Sequence, residues 1–253
     1  MKKVITSIVA LLLAVSAGAA VIATDNASDI AYNSGWTNGT SGGTGFGAWT
    51  LAAGGGNSGH LIGDSTDLAA PGADINVSGE SFGMYGYSGE YADAWRYFSS
   101  DLSVGQTFSI ELAVNWRNGA KGLNLLTSGG TEIINFNVGG DDYTMGGTSI
   151  GNGYSDNTEF LFEFTQTSAG AGTWSITRSG GITDLDTGVY TGVAGGFKLY
   201  CGGTDGDGAT NRLYANNIQV VPEPATALLF GIGGMGAWMI RRNKKKTTEE
   251  EEA

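Results

Sequence analysis

The chain has 253 residues, 41% of them hydrophobic, with a formal net charge of −12, 44 glycines and a single cysteine. So acidic a chain repels phosphate backbones, which argues against nucleic acid as a partner, and one cysteine excludes an intrachain disulfide. One histidine and one cysteine also exclude a zinc site of ordinary composition.

The N-terminus has the layout of a secretory signal peptide, which we assign to residues 1–19. Two lysines precede an almost wholly apolar stretch that ends in small residues. Ala17 and Ala19 fit the small-x-small cleavage rule, so we expect cleavage after Ala19, with Ala20 or Ala23 as alternatives. An uncleaved N-terminal anchor is the other interpretation, and both interpretations place the central part of the chain outside the cytoplasm.

We assign residues 24–221 to the exported domain, which contains twenty Asp and Glu residues but only six Lys and Arg residues. Apolar and polar residues alternate over 106–116 and again over 159–167, which predicts strands with one buried and one exposed face. Further strands are predicted at 46–52, 81–87, 91–98, 122–127, 132–138, 173–178, 196–201 and 212–221. Glycine-rich turn signals separate them.

So many short strands predict an all-β domain, either a two-sheet antiparallel β-sandwich or a sheet closed on itself. We favour the sandwich because the strands are short and polar. The series Trp36, 46–49, 83–86 and 213–218 resembles the concanavalin-A-like jelly rolls of exported bacterial proteins. This resemblance implies a jelly-roll topology for the domain.

One predicted strand has a pattern suited to sugar binding. Tyr91, Trp95 and Tyr97 share a face with Asp93 between them, and Arg96 lies on the other side. Exposed rings flanked by polar groups are a common way to stack sugar rings, so we predict glycan contact at Tyr91, Trp95 and Tyr97. Aromatic residues are also frequent in ordinary strands, and a core position for Trp95 is the alternative.

A glycine-rich acidic loop near the end of the domain is a candidate calcium site. Asp205, Asp207 and Asn211 supply the oxygen ligands that hard cations prefer, although the loop lacks the distal glutamate of an EF-hand. An ordinary turn is the alternative interpretation. We expect no cofactor other than this structural calcium.

The residues that catalysis would need are poorly arranged. Glu159 and Glu163 share one face of a strand. This pattern is typical of the solvent-exposed face of an amphipathic strand rather than of the two catalytic carboxylates of a glycosidase. His60 is expected in a solvated loop without a nucleophile elbow. Cys201 alternates with apolar neighbours and is expected to be a small buried hydrophobe. We therefore predict that the chain is not an enzyme.

The C-terminus combines Pro222, Glu223 and Pro224 with an uncharged apolar stretch over 225–240 and a basic cluster over 241–246. As a helix, the apolar stretch reaches roughly 24 Å, against about 30 Å for a bilayer core, so flanking side chains must make up the difference. The prolines fix its start, and the basic cluster keeps its end in the cytoplasm. We predict a transmembrane helix, with a buried core helix as the alternative.

The three parts together resemble the PEP-CTERM sorting signal of Gram-negative bacteria, over residues 222–246. The resemblance implies recognition by an exosortase-type membrane protease, with Pro222, Glu223, Pro224, Arg241 and Arg242 as the sorting and processing residues. It also implies a precursor held in the inner membrane and then delivered to the cell surface or extracellular matrix. The acidic tail, 247–253, departs from the usual pattern.

These features predict an exported, non-catalytic structural or adhesive β-sandwich. Its expected partners are an exosortase-type protease, the membrane for the time of anchoring, and extracellular polysaccharide, with no role for nucleic acid. A lectin-like glycan-binding module is the first alternative. A glycoside hydrolase or polysaccharide lyase is the second.

Overall fold

The computed structural model describes residues 21–68, 74–140, 142–151, 153–156, 158–206 and 208–222. The predicted signal peptide, the 225–240 helix, the basic cluster and the acidic tail lie outside the described residues. Within the described part of the chain, no helix has the length and hydropathy needed to cross a membrane.

The described residues form short strands joined by turns and three short 3₁₀ helices. The strands are β1 (Ala23–Asp25), β2 (Thr50–Ala53), β3 (Ser58–Gly63), β4 (Ser81–Gly86), β5 (Tyr91–Tyr97), β6 (Thr107–Val114), β7 (Ala120–Leu126), β8 (Glu132–Gly139), β9 (Asp142–Met145), β10 (Thr148–Ile150), β11 (Thr158–Ser168), β12 (Ala171–Ser179), β13 (Asp184–Thr191), β14 (Gly196–Gly202) and β15 (Leu213–Val221). The 3₁₀ helices cover Ile30–Tyr32, Ser65–Leu68 and Ala209–Asn211.

The strands make two antiparallel sheets, which confirms the predicted all-β sandwich. The first sheet has the order β13-β12-β11-β6-β15-β4-β3, with β1 also paired to β15. The second sheet has the order β10-β9-β8-β7-β14-β5-β2. Neighbours in a sheet are often distant in sequence, as with β6 between β11 and β15, so most pairing is long-range.

Aromatic side chains from both sheets form the core between them. Phe136 of the second sheet packs edge-on against Phe160 and Phe162 of the first, with ring centroids 5.0 and 4.7 Å apart. Phe108 of the first sheet stacks on Phe197 of the second at 5.0 Å. All five rings are fully buried, so the inward residues of the alternating strands provide the hydrophobic stabilisation.

A buried ion pair fixes the N-terminal segment to the second sheet. Arg96, on the inner side of β5, donates to Asp25 of β1, and both side chains are fully buried. The Tyr32 hydroxyl donates to the same carboxylate at 2.5 Å and accepts from Trp49 Nε1 at 3.0 Å. The Arg96 Nε also donates to the Gly47 carbonyl at 3.0 Å, so this charge is neutralised and hydrogen-bonded.

Every strand predicted by alternation is present, but some boundaries and several strands were not anticipated. Of the segment predicted as a strand over 46–52, only the part from Thr50 belongs to a strand, β2, and Phe46 forms an isolated bridge to Phe98. The expectation of a loop at His60 is wrong, because this residue lies in β3 and pairs with Met84 of β4. A Cβ at position 59 would lie 2.8 Å from the Tyr85 hydroxyl, so glycine in this strand makes room for that ring.

Candidate functional site

The predicted aromatic strip lies on the outer side of β5. Tyr91, Asp93, Trp95 and Tyr97 face outward, and the residues between them are buried. Tyr91 is 53% exposed, the other three are half-buried, and the alternative of a core position for Trp95 does not hold. The rings therefore lie where a ligand in solution can reach them.

Strand β14 adds a cation and a further ring beside this strip. Lys198 pairs with Trp95 and Tyr200 pairs with Asp93 across the two strands. The Lys198 Nζ lies 5.7 Å from the Trp95 ring centroid, 5.5 Å from that of Tyr200 and 3.7 Å from an Asp93 oxygen. One ammonium group thus bridges two rings and one carboxylate, which restricts the orientation of all three.

Strands β7 and β8 continue the face with amide side chains. Asn124 is opposite Lys198, and Asn135 is opposite Asn124. The Asn135 Nδ2 donates to Asn124 Oδ1 at 2.7 Å and to the Tyr200 hydroxyl at 2.9 Å, and Asn124 in turn donates to Glu132. These bonds connect the amides to the Tyr200 ring, so the polar groups are held in fixed positions.

We call this surface the polar-aromatic face. It consists of Tyr91, Asp93, Trp95, Tyr97, Lys198, Tyr200, Asn124, Glu132, Asn135 and Asn137, the last of which accepts from the Tyr200 hydroxyl at 3.0 Å. Sequence reasoning identified only its β5 residues. Lys198 and Tyr200 alternate with the buried Phe197, Leu199 and Cys201, which was a usable signal, but only the strand order shows that β14 lies beside β5.

Glycine at position 122 makes room for the Tyr200 ring on this face. A Cβ at Gly122 would lie 2.0 Å from the Phe136 carbonyl and 2.6 Å from the Tyr200 hydroxyl, so only glycine lets that ring lie across β7. A groove of about 550 Å³ lies at one end of this face, and Tyr91, Asp93 and Lys198 are among the residues that line it. This volume is within the usual range for small-ligand sites, about 300–1,000 Å³.

Burial controls the protonation of two groups on the face. It raises the pKa of Tyr200 to about 12, and the charges of Glu132 and Asp93 act in the same direction. Burial also raises the pKa of Asp93, against the opposing effect of the Lys198 ammonium. At neutral pH the Tyr200 hydroxyl is therefore a neutral group that can donate and accept hydrogen bonds.

The predicted calcium ligands are only partly described. Asp205 accepts from Asn118 Nδ2 at 3.2 Å, and Asn211, which is buried, donates to the Gly206 carbonyl at 3.1 Å. Asp207 lies outside the described residues. Among the described ones, no cluster of three or more His, Cys, Asp or Glu is placed to hold a metal ion. Calcium at this loop stays a prediction.

The carboxylates considered for catalysis lie on the outer side of the first sheet, away from the polar-aromatic face. Burial raises the pKa of Glu159, and the charge of Glu111 adds to this effect. Glu163 accepts from Ser175 Oγ at 3.1 Å. These groups therefore share a surface with hydroxyl side chains and not with the exposed rings.

The histidine and the cysteine both lie in packed surroundings. His60 Nε2 is 3.0 Å from the Asp93 carbonyl oxygen, its ring meets Trp36 edge-on at 5.1 Å, and burial lowers its pKa. Cys201 is fully buried, as expected, and burial raises its pKa to about 11. A protonated, buried thiol is a poor nucleophile.

The sorting residues end the described part of the chain. Pro222 is described and half-buried, whereas Glu223, Pro224, Arg241 and Arg242 lie outside the described residues. The same holds for Ala17 and Ala19 at the predicted signal cleavage site.

The C-terminal segment has a clear match among known proteins. Residues 220–243 match the PEP-CTERM protein-sorting motif, so the resemblance found in the sequence is confirmed. No curated protein matches the chain.

Several solved structures share a similar arrangement of strands at low identity. Alginate lyase AlgAT5 of Polysaccharide Lyase family 7 matches with a TM-score of 0.38 and 11% identity, over 68% of this chain and 92% of that one. Galectin LEC-6 of Caenorhabditis elegans matches with a TM-score of 0.29 and 17% identity, over 47% of this chain and 83% of the galectin. The carbohydrate recognition domain of Emp46p matches with a TM-score of 0.34 and 7% identity, over 69% of this chain and 88% of that domain.

The chain also matches larger structures, of which it spans less than half. It covers 43% of the receptor binding domain of botulinum neurotoxin type G and 48% of that of type D. None of these likenesses bears on what this chain binds.

Proposed function

We propose that this chain is an exported cell-surface or extracellular-matrix protein of a Gram-negative bacterium whose β-sandwich adheres to polysaccharide without catalysis. Its precursor is anchored in the inner membrane by residues 225–240, and an exosortase-type protease cleaves it near Pro222, Glu223 and Pro224. The polar-aromatic face is the adhesive surface.

The sorting motif supports the export part of this proposal. A PEP-CTERM motif at residues 220–243 implies an exported protein sorted by an exosortase, with a membrane-anchored precursor. The basic residues after residue 240 orient the predicted span with its C-terminus in the cytoplasm, which leaves the sandwich outside. Cleavage then releases the sandwich on the outer side of the inner membrane, and delivery to the surface or matrix is the further step that we propose.

The observation that carries the adhesive role is the set of outward rings joined to fixed polar groups. Tyr91, Trp95 and Tyr97 present ring surfaces on which the apolar face of a sugar can stack. Asn124, Asn135 and the Tyr200 hydroxyl offer donors and acceptors for sugar hydroxyls at positions fixed by their mutual hydrogen bonds. Preorganised rings and amides lose little conformational entropy when a ligand binds.

The bonding of the carboxylates on this face favours binding over catalysis. Asp93 lies beside the Lys198 ammonium, and Glu132 accepts from Asn124. Both carboxylates therefore orient neighbouring side chains. An inverting or retaining glycosidase instead needs two carboxyl groups that are free to exchange protons or attack the sugar.

Binding of the full chain to a panel of polysaccharides tests the adhesive role. We expect Trp95→Ala to weaken binding to the polysaccharide that is recognised by about 30-fold, because truncation of an aromatic anchor costs about 2 kcal/mol or more. Glu163→Gln, on the outer side of the first sheet, is the matched control and should bind like the parent. Equal binding by Trp95→Ala, or sugar cleavage by the parent, would contradict the proposal.

Mass spectrometry of the mature protein tests the sorting route. We expect an N-terminus after Ala19 and a new C-terminus near Pro222, and retention of the full C-terminal segment when Pro222, Glu223 and Pro224 are all replaced by alanine. A control with the acidic residues of 249–252 replaced by glutamine should still be cleaved. An exported protein with both termini uncut would contradict this part of the proposal.

A further inference from the structure

A second hollow lies on the outer side of the first sheet, at the edge formed by β3 and β4. It has a volume of about 410 Å³ and is lined by Gly56, His60, Leu61, Tyr85, Tyr87 and Arg212. We call it the Arg212 pocket. The pairing of Leu213 with Met84 places Arg212 beside Tyr85, and Tyr85 and Tyr87 face the same side because they are two residues apart.

Arg212 is held less completely than the cations that form ion pairs in the described part of the chain. Those pairs are Arg96 with Asp25, Arg178 with Asp184 and Lys198 with Asp93. Arg212 Nη1 donates only to the Tyr214 hydroxyl, at 3.2 Å, and Nε is buried with no acceptor among the described residues. A guanidinium has five N–H donors, so Arg212 keeps the capacity to bind an added anionic partner through its remaining terminal N–H groups.

We propose that the Arg212 pocket binds the carboxylate of a single acidic sugar residue of the uronic acid type. A guanidinium matches the planar geometry of a carboxylate and forms strong charge-assisted hydrogen bonds with it. Tyr85 and Tyr87, which line the pocket together with Arg212, supply hydroxyl groups that can donate to and accept from a sugar's hydroxyls.

The surrounding charge limits the ligand to one acidic residue at a time. Burial raises the pKa of Tyr214, the hydrogen bond and charge of Arg212 lower it, and Asp67 and Asp64 raise it by smaller effects, so these two carboxylates act on the hydrogen-bond partner of Arg212. Every carboxylate of a ligand is repelled by these aspartates and only one can pair with Arg212, so a chain of closely spaced carboxylates gains one ion pair against several repulsions. The pocket is separate from the polar-aromatic face, and binding at one does not require binding at the other.

An NMR titration of the ¹⁵N-labelled full chain in detergent micelles tests this site, with the Arg212 Nε–H signal as the reporter. The probes are sodium D-glucuronate, its methyl ester, D-glucose and sodium acetate. We expect a saturable shift with glucuronate. Affinity should be at least about tenfold lower for the ester and for glucose, because each lacks the charge-assisted bond, and lower for acetate, which lacks the ring.

Variants separate a binding role of Arg212 from a structural one. Arg212→Met should abolish glucuronate binding, read from neighbouring amide signals, whereas Arg212→Lys should retain part of it because the charge remains. The exposed Arg117→Met is the matched control and should bind normally. Equal affinity for glucuronate and its ester or for glucuronate and acetate, no saturable shift, or normal binding by Arg212→Met would each overturn the proposal. These outcomes leave polysaccharide binding at the polar-aromatic face unaffected.

Discussion

The two outer faces of the sandwich share the same alternation and yet carry different chemistry. The part of the first sheet formed by β6, β11, β12 and β13 exposes a groove of about 450 Å³ lined by four threonines, Ser175 and Glu163, with the exposed Val189 beside them. The second exposes rings, amides and a lysine joined by hydrogen bonds and cation–π contacts. Small hydroxyl and acidic side chains are sufficient to keep a strand face soluble. Fixed exposed rings add nothing to solubility, so we attribute them to ligand contact.

The same contrast holds between the two sides of the second sheet. Trp95 and Arg96 are adjacent in sequence, but the ring faces solvent and the guanidinium is buried against Asp25. Lys198 and Lys121 likewise lie on opposite sides, one beside exposed rings and the other fully buried on backbone carbonyls. The inner side should therefore control stability and the outer side should control binding.

The largest expected effect is a loss of stability caused by a substitution on the inner side of the second sheet. Arg96→Met leaves Asp25 as an unpaired buried charge, which should lower the free energy of unfolding by about 3–5 kcal/mol. Denaturant unfolding of the full chain measures it, with the exposed Arg117→Met as control. A loss below about 1 kcal/mol would show that the buried pair does not fix the N-terminal segment.

The next largest expected effect is a loss of polysaccharide binding caused by a substitution on the outer side of the second sheet. Tyr200→Ala removes a ring beside Lys198 and the acceptor for Asn135, and should weaken polysaccharide binding by about 30-fold. Thr173→Ala, in the groove of the first sheet, should leave the dissociation constant unchanged. If Thr173→Ala weakened binding as much as Tyr200→Ala, the two outer faces would not differ in function.

Lys121 gives a pH-dependent test of the inner side. Burial lowers its pKa from 10.5 to about 8. Between pH 8 and pH 9 the unfolded chain keeps the proton and the folded chain loses it, so the free energy of unfolding should rise by about 1 kcal/mol. The opposing effect of Cys201, whose pKa is raised to about 11, begins only near its ordinary value of 9.

Unfolding curves of the parent and of Lys121→Met, recorded at pH 8 and pH 9, measure this effect. The parent should gain stability relative to the variant over this interval. Equal changes in the free energy of unfolding of the parent and of Lys121→Met would mean that Lys121 titrates outside the interval from pH 8 to pH 9.

The smallest expected effect concerns the amides. Asn135→Ala removes two hydrogen bonds that orient Asn124 and Tyr200, and should weaken polysaccharide binding about fivefold. Ser175→Ala removes a comparable hydroxyl bond, to Glu163 on the first sheet, and should not change binding. Unchanged affinity of Asn135→Ala would show that the rings act without the amides.

Local alternation predicted the strands whose sides differ most in polarity. The buried and exposed sides of β6 and β11 could be identified from sequence because large apolar residues recur at every second position. Strand β13 was missed because Asp184, Asp186 and Gly188 suggest turns, and its extended form depends on pairing with β12.

The candidate face could be predicted only in part for a related reason. The order of residues along β5 identified Trp95 and its neighbours. Asn124, Asn135 and Lys198 lie 29 or more positions after Trp95 in the sequence, and only the pairing of β14 with β5 and β7 brings them together. Sequence periodicity contains no information on which strands become neighbours.

Hydroxyl-radical footprinting of the full chain, with and without the recognised polysaccharide, tests most directly whether the polar-aromatic face is the binding surface. Exposed side chains on both outer faces report in one experiment, since Tyr91 is 53% exposed on the second sheet and Val189 is 76% exposed on the first. We predict that bound polysaccharide lowers the oxidation of Tyr91, Trp95 and Tyr97 and leaves that of Val189 unchanged. Protection of Val189, with Tyr91, Trp95 and Tyr97 oxidised as in the free protein, would contradict the assignment.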